Sequence, residues 1–356
     1  MCIRDSIRGD FLSKGDEVEI GTPSFLPPMQ PRGETPDRLD LARWILSPQN
    51  TLTPRVTVNR FWQVFFGRGI VESDRDFGSQ GSRPDHPELL DWLATQFVKN
   101  DWKVKELHRM IVSSATYRQS SAHRPELTER DPYNTWFAKQ NRQRVDAEIV
   151  RDLALSASGL LDRRVHGPSV FPPLPPGIIE LAFVDVIDRG PWRESQGGDR
   201  YRRGLYTFFQ RTSAYPMLSL FDAPDSNTTC THREQSNTPL QALTLWNDPV
   251  FMECAAALAE RTMREVEESD DAKETIRQRA AFMFVACLGR QASDQDLDDL
   301  QTLYDASLEI YSRNKEQATS LTEKTETPKS LSTEEYAAWI SVARTIMNLD
   351  LSLIHI

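Results

Sequence analysis

Apolar residues recur at helical spacing along most of this chain, and the breaks between the runs are marked by Gly, Pro and capping residues. In 55–66 (R-V-T-V-N-R-F-W-Q-V-F-F), Phe61, Trp62, Phe65 and Phe66 form one wide stripe. Thr53 reads as an N-cap, Pro54 suits the first turn, and Gly67 with Gly69 reads as the stop. Asp85 to Glu88 (D-H-P-E) has capping-box spacing ahead of Leu89, Leu90, Leu93 and Phe97, and Val104, Leu107 and Ile111 repeat the pattern. A short helix is expected over 38–46, with Leu39, Leu41, Ala42, Ile45 and Leu46 inward. Another is expected over 146–161, with Gly159 near its end. Towards the C-terminus, Thr238 with Pro239 and Gln241 opens a helix that breaks at Asp248-Pro249 and restarts. A helix over 276–288 stops at Gly289, Ser293 with Asp294 and Asp296 opens the next, and Ser332 with Glu335 caps the last.

The pattern lapses in four places. Residues 7–36 read as an extended arm. In 166–200, Pro168, Pro172, Pro173, Pro175 and Pro176 exclude regular helix, and 205–209 (L-Y-T-F-F) has the content of a short strand. A polar loop follows over 222–237. Residues 312–333 are Ser, Thr, Lys and Glu with few apolar positions, which predicts a mobile insertion. The expected fold is mainly α: a helical domain with a small irregular strand-containing insert. Its parts are an arm (1–36), a front helical group (37–165), the insert (166–237) and a rear helical group (238–350), the two groups packing as one domain. Residues 122–132 read as a polar loop and 133–138 as a helical turn.

Composition narrows the classes. A net charge of −10 argues against general nucleic-acid binding. No apolar run approaches the ~20 residues of a membrane span. Cys230, Cys254 and Cys287 form no disulfide framework, and C-x-x-C-H is absent, so no haem attaches covalently here and no other cofactor is expected within this stretch. Met1 to Ser6 and 351–356 read as translations of the two strands of one sequencing adapter, which makes the chain an expected piece of a longer protein.

The candidate chemistry lies in loops and helix starts. His86 is either a ligand or base at a helix start or a residue that holds a loop. Asp74, Asp76 and Glu88, near Arg75 and Arg83, are candidates for cation binding or acid–base work, or else pair with arginines. The 222–237 loop carries Asp222, Asp225, Cys230, Arg233 and Asn237 and runs into a helix N-terminus, where backbone N–H groups favour anions. Cys230 beside Arg233 is a candidate low-pKa thiolate or an inert thiol. Asp76, Asp222 and Cys230 are thus the catalytic candidates, and Arg118, Arg233, Asn237 and His86 the ligand-binding ones. Loops 74–81 and 222–237 are expected to line one cleft. Arg142, Arg144 and Arg151 either clamp an anion with Arg118 or pair with Asp146, Glu148 and Asp152. Trp62, Trp92, Trp102, Tyr117 and Trp136 are core at helical spacing or a sugar-stacking platform. No zinc-type His/Cys spacing, P-loop, dinucleotide fingerprint or G-x-S-x-G is present, so no metal ligand is assigned.

The block 55–121, together with R-R-G-L-Y-T-F-F-Q-R-T, F-D-A-P-D and C-T-H-R-E-Q-S-N-T-P-L-Q-A-L-T-L-W-N-D-P-V-F-M within 202–252, resembles the C-terminal domain of unknown function of planctomycete cytochrome-C-domain proteins. The last helix resembles the same domain's closing segment. The resemblance implies a periplasmic or cell-surface protein, with haem c in an upstream cytochrome domain of the same chain as its partner. It implies a role beside that domain in redox or electron-transfer chemistry. The alternatives are a polysaccharide-binding or scaffolding module, and a hydrolase using the 222–237 loop.

Overall fold

A computed structural model describes residues 3–6, 12–175, 177, 192–210, 214–323, 325, 327–349 and 354–355. The fold is mainly α, with twelve helices among the described residues. The chain divides into two compact units, one ending at Asn141 and the other running from Arg142 to His355. The boundary falls before the helix over Ala147–Ser158, so that helix joins the rear group instead of the front one.

The first unit holds α1 (Arg38–Ile45), α2 (Leu52–Phe66), α3 (Pro87–Lys99) and α4 (Val104–Val112). α2 packs on α3, and α3 on α4. Its core is aromatic: Trp62 stacks on Phe66 at 4.2 Å, and His108 meets the rings of Phe61 and Phe65 edge-on at 4.9 and 5.2 Å. Buried Asn59 closes the following turn on the helix, accepting from Val71 N at 2.8 Å and donating to Val71 O at 3.0 Å.

Three expectations fail here for local reasons. The α1 residues Leu39, Leu41, Ala42, Ile45 and Leu46 are exposed, while Asp40 is buried. Asp40 forms a reciprocal capping box with Asp37 and accepts from Arg32 Nε at 2.7 Å. The Asp37 backbone N–H first, and Arg32 second, hold its carboxyl down to about 2. That polar tie fixes which face turns inward, and the apolar stripe faces out. α2 begins two residues early, so Thr53 lies inside it and Asn50 Oδ1 accepts from Thr53 N. Asp85 does not cap α3, whose N-cap is His86, because Arg68 holds its carboxylate at 3.1 Å.

The second unit contains α5 (Ala147–Ser158), α6 (Pro216–Leu220), α7 (Pro239–Asn247), α8 (Pro249–Glu265), α9 (Ala272–Leu288), α10 (Asp294–Arg313), α11 (Lys315–Thr322) and α12 (Thr333–Met347). α12 packs on α8, α9, α10 and α11, and α5 packs on α8. α12 is the centre of the core, with Tyr336, Ala337, Ala338, Ile340, Val342, Ala343 and Ile346 fully buried. The capped starts predicted for α7 and α12 form as capping boxes, Ser293 with Asp296 makes one at the start of α10 as well, and α8 starts at Pro249 as expected.

Two departures concern the irregular parts. Residues 205–209 do not make a strand. A 3-10 turn over Gly204–Tyr206 leads into one parallel bridge, Val170 with Thr207, since the Pro-rich partner offers no longer ladder. The middle of the Pro-rich stretch lies outside the described residues. Within 312–333, expected as a mobile insertion, α11 forms: Asn314 caps it, and the small residues Ala318 and Thr322 are buried. The terminal hexapeptides, read above as adapter translations, carry short backbone pairings. β1 (Ile3–Ser6) pairs antiparallel with β2 (Lys14–Val18), and β3 (Gln143–Arg144) with β4 (Ile354–His355).

Candidate functional site

Asp131 and Asn134 stand three residues apart in D-P-Y-N-T-W-F. Asp and Asn close turns on their own backbone, and Pro132 pre-sets the first turn's φ. Two turns follow head to tail. Asn134 N donates to Asp131 O at 3.1 Å, and Phe137 N donates to Asn134 O at 3.1 Å. The buried Asp131 carboxylate accepts from Thr135 N (2.7 Å), Thr135 Oγ1 (2.9 Å) and Trp136 N (2.9 Å). Burial pushes that carboxyl up, but the donors outweigh it and hold it below the ordinary range.

Asn134 is also buried. It accepts from Ala138 N at 3.0 Å and donates to Lys139 O at 2.8 Å and Asn141 Oδ1 at 3.0 Å. Asn134 and Phe137 sit at φ 51° and 50°, in the left-handed region. For Phe137 that conformation is strained, and it is offset by burial of the ring against Trp62 (5.2 Å) and Phe66 (5.4 Å). Gln119 Nε2 donates to Phe137 O at 2.7 Å, and a ring nitrogen of His86 lies 2.9 Å from Thr135 O.

The result is a braced loop with its turn-forming side chains inside. The residues between them face solvent: Tyr133 is 75 % exposed and Trp136 51 %. The Arg130 guanidinium lies 5.7 Å from the Trp136 ring centre, within cation–π range. Tyr133 and the double turn escape a reading based on helical spacing. The signal that would find them is the three-residue repeat of Asx with Pro after the first.

The other candidates fall as follows. Loops 74–81 and 222–237 belong to different units and are described within their own. Asp76 is exposed, and its Oδ1 accepts from Gly78 N at 2.7 Å. Ser73 braces that loop, donating to Asp76 O and accepting from Ser82 N, each at 2.7 Å. Arg118 is exposed. His86 acts as the second strut of the 131–137 loop, its ring 5.7 Å from that of Phe137. Of the five aromatics, Trp62 is core, Trp102 and Tyr117 pack against that core, and Trp92 and Trp136 are exposed.

Asp222 is the centre of an internal knot. At φ 63° its carboxylate accepts from Ser236 N (2.8 Å), Ser236 Oγ (2.9 Å) and Arg144 Nη2 (2.6 Å). Burial pushes it up, but Ser236 and Arg144 hold it below the ordinary range. Arg233 pairs with Glu148 at 2.7 Å and Asp146 at 3.5 Å. Cys230 is exposed and its thiol donates to His232 O at 3.0 Å; Asn237 is exposed. These bonds tie the 222–237 loop to β3 and α5.

Arg151 is buried and donates to Arg202 O (2.5 Å) and Arg200 O (2.6 Å). Asp152 pairs with Arg203 at 3.3 Å and accepts from Gly204 N at 2.6 Å. Gly204 is needed there, because a Cβ would come within 2.4 Å of Glu148 O. The arginine run thus serves to hold chain segments. An apolar cleft lined by Val150, Leu153, Leu245, Phe251 and Cys287 encloses 20 Å³, room for about one water. Among the described residues no group of three or more His, Cys, Asp or Glu could hold a metal ion, and no helix is long and apolar enough to cross a membrane.

These features define a mainly α protein whose most prominent exposed chemistry is a braced aromatic loop. The chain belongs to the PSD1 family of proteins of unknown function (DUF1553), whose profile matches residues 37–304. The match stops within α10, so α11 and α12 lie beyond it. No curated protein and no solved structure matches the chain.

Proposed function

We propose that this chain is a polysaccharide-binding module, with the 131–137 loop as its platform. One observation carries the reading: Tyr133 and Trp136 stand in solvent on a backbone fixed from within by Asp131, Asn134, Gln119 and His86. Exposed aromatic faces bind the apolar faces of sugar rings, and a pre-formed loop avoids the ordering cost of binding. The hydrolase alternative has less support, because Asp222 and Arg233 are engaged in bonds within the protein. Affinity electrophoresis of the intact chain through gels containing soluble polysaccharides tests the reading. Retardation that is lost in Trp136→Ala and Tyr133→Ala, with unchanged melting temperatures, is expected. Unaltered mobility of the native chain in every gel would sink it.

The module's setting is also proposed: outside the cytoplasm, beside a c-type cytochrome domain of the same polypeptide. The support is the resemblance of 55–121 and 202–252, with membership of the family. Binding would then hold a redox domain near an extended substrate. Reading the complete gene tests this. An open reading frame encoding no export signal and no C-x-x-C-H motif would remove the setting and leave the binding reading intact.

A further inference from the structure

Resting on the platform reading, we infer that the polysaccharide taken by the 131–137 loop is anionic, with carboxylate or sulfate groups read by Arg130. Three observations converge. Arg130 is exposed, and its guanidinium is placed over the half-exposed Trp136 ring at 5.7 Å. Arg130 forms no ion pair among the described residues, whereas Arg124, six residues earlier, is held by Glu126 at 2.8 Å. The platform backbone is fixed by buried Asp131 and Asn134, so the cation and the aromatic faces keep one spacing.

A guanidinium in cation–π contact with an indole keeps the N–H donors of its own plane available for a bidentate contact with a carboxylate or sulfate. The half-exposed Trp136 ring supplies apolar surface for the sugar. A pyranose carrying an acidic substituent satisfies both at once, and a neutral pyranose leaves the cation without a partner. Bulk attraction does not account for polyanion binding here: the chain carries a net charge of −10, so its overall field repels polyanions. Any affinity for one must come from a local cation.

The test uses the intact chain and three soluble probes: a neutral glucan, a polyuronate and a sulfated galactan, titrated by calorimetry at low and high salt. The expected result is preference for at least one polyanion over the glucan by about tenfold or more, weakening with added salt. Arg130→Gln should bring the polyanion down to the level of the glucan and abolish the salt dependence, and Arg130→Lys should restore part of both. The two polyanions separate carboxylate from sulfate recognition. Equal binding of all three probes, unchanged in Arg130→Gln but lost in Trp136→Ala, would overturn the anionic inference and leave the platform standing. Failure to bind any probe would overturn the platform reading itself. Arg130 and Trp136 are both exposed, and matching melting temperatures confirm that each variant is folded.

Discussion

At the scale of single residues, Asp222 and Asp131 show how a carboxylate in a polar loop can be structural. The Asp222 carboxylate is 24 % exposed and its partner Arg144 12 %, and Arg144 Nε and Nη1 have no other partner. Asp222→Asn keeps the shape and tolerates the positive φ, but it removes the charge and one acceptor. We expect a loss of about 2 kcal/mol at pH 7, read as a lower melting temperature. Its folded-state pKa is depressed, so the stabilisation is present above the unfolded value of about 4 and is lost as pH falls through the folded one. Native and variant chains should therefore differ at pH 7 and converge in acid; a constant difference across that range would show the charge to be irrelevant. Asp131→Ala leaves the N–H groups of Thr135 and Trp136 without their acceptor. It should cost about 1–3 kcal/mol and weaken polysaccharide binding although no ligand-facing group is changed. Retained binding would mean that the platform does not depend on its brace.

At the scale of elements, the legible parts were those whose signal is local. The capping boxes at Thr238, Ser293 and Ser332 bond neighbours three residues apart, and Gly67, Gly159 and Gly289 end their helices left-handed. The parts that did not follow depend on distant partners. An apolar stripe on α1 says that the helix is amphipathic but not where the core lies, and Arg32 with Asp37 decides that. Residues 205–209 have strand-forming side chains but, among the described residues, pair only through the Val170–Thr207 bridge. In the 222–237 loop the acidic and basic residues that read as a site pair with partners outside it, Asp222 with Arg144 and Arg233 with Glu148, nearly eighty residues or more away in sequence. The platform was missed because a three-residue Asx repeat resembles an irregular polar loop when the search is for periods of 3.6 and 2. α11 gives an element-scale test. Its Ala318 is buried, so Ala318→Arg would force a charge into the packing. Loss of helicity and a melting temperature several degrees lower are expected, and an unchanged melt would show that α11 docks too weakly to matter.

At the scale of the whole molecule, two separate cores account for the two units. One is built from Val58, Trp62, Phe66, Leu93, Phe97, Ile111 and Phe137, and the other draws only on residues from Val145 onward. A chain cut between Asn141 and Arg142 breaks neither core, so residues 142–350 alone should unfold cooperatively with near-ultraviolet signal from Trp339 and Tyr304, which lie 4.5 Å apart. The family match ends at residue 304, and a shorter piece, 142–304, sets the contrast. It lacks α12, against which α8, α9 and α10 bury their apolar faces. Without Trp339, Ile340 and Ile346 those faces would meet water, at about 2 kcal/mol or more for each large side chain lost from the core. That total is comparable to the roughly 5–15 kcal/mol by which a domain is stable. The longer piece should therefore melt as one transition, and the shorter should show helical far-ultraviolet signal without fixed tertiary packing. A cooperative melt of 142–304 would place the organising core elsewhere than α12.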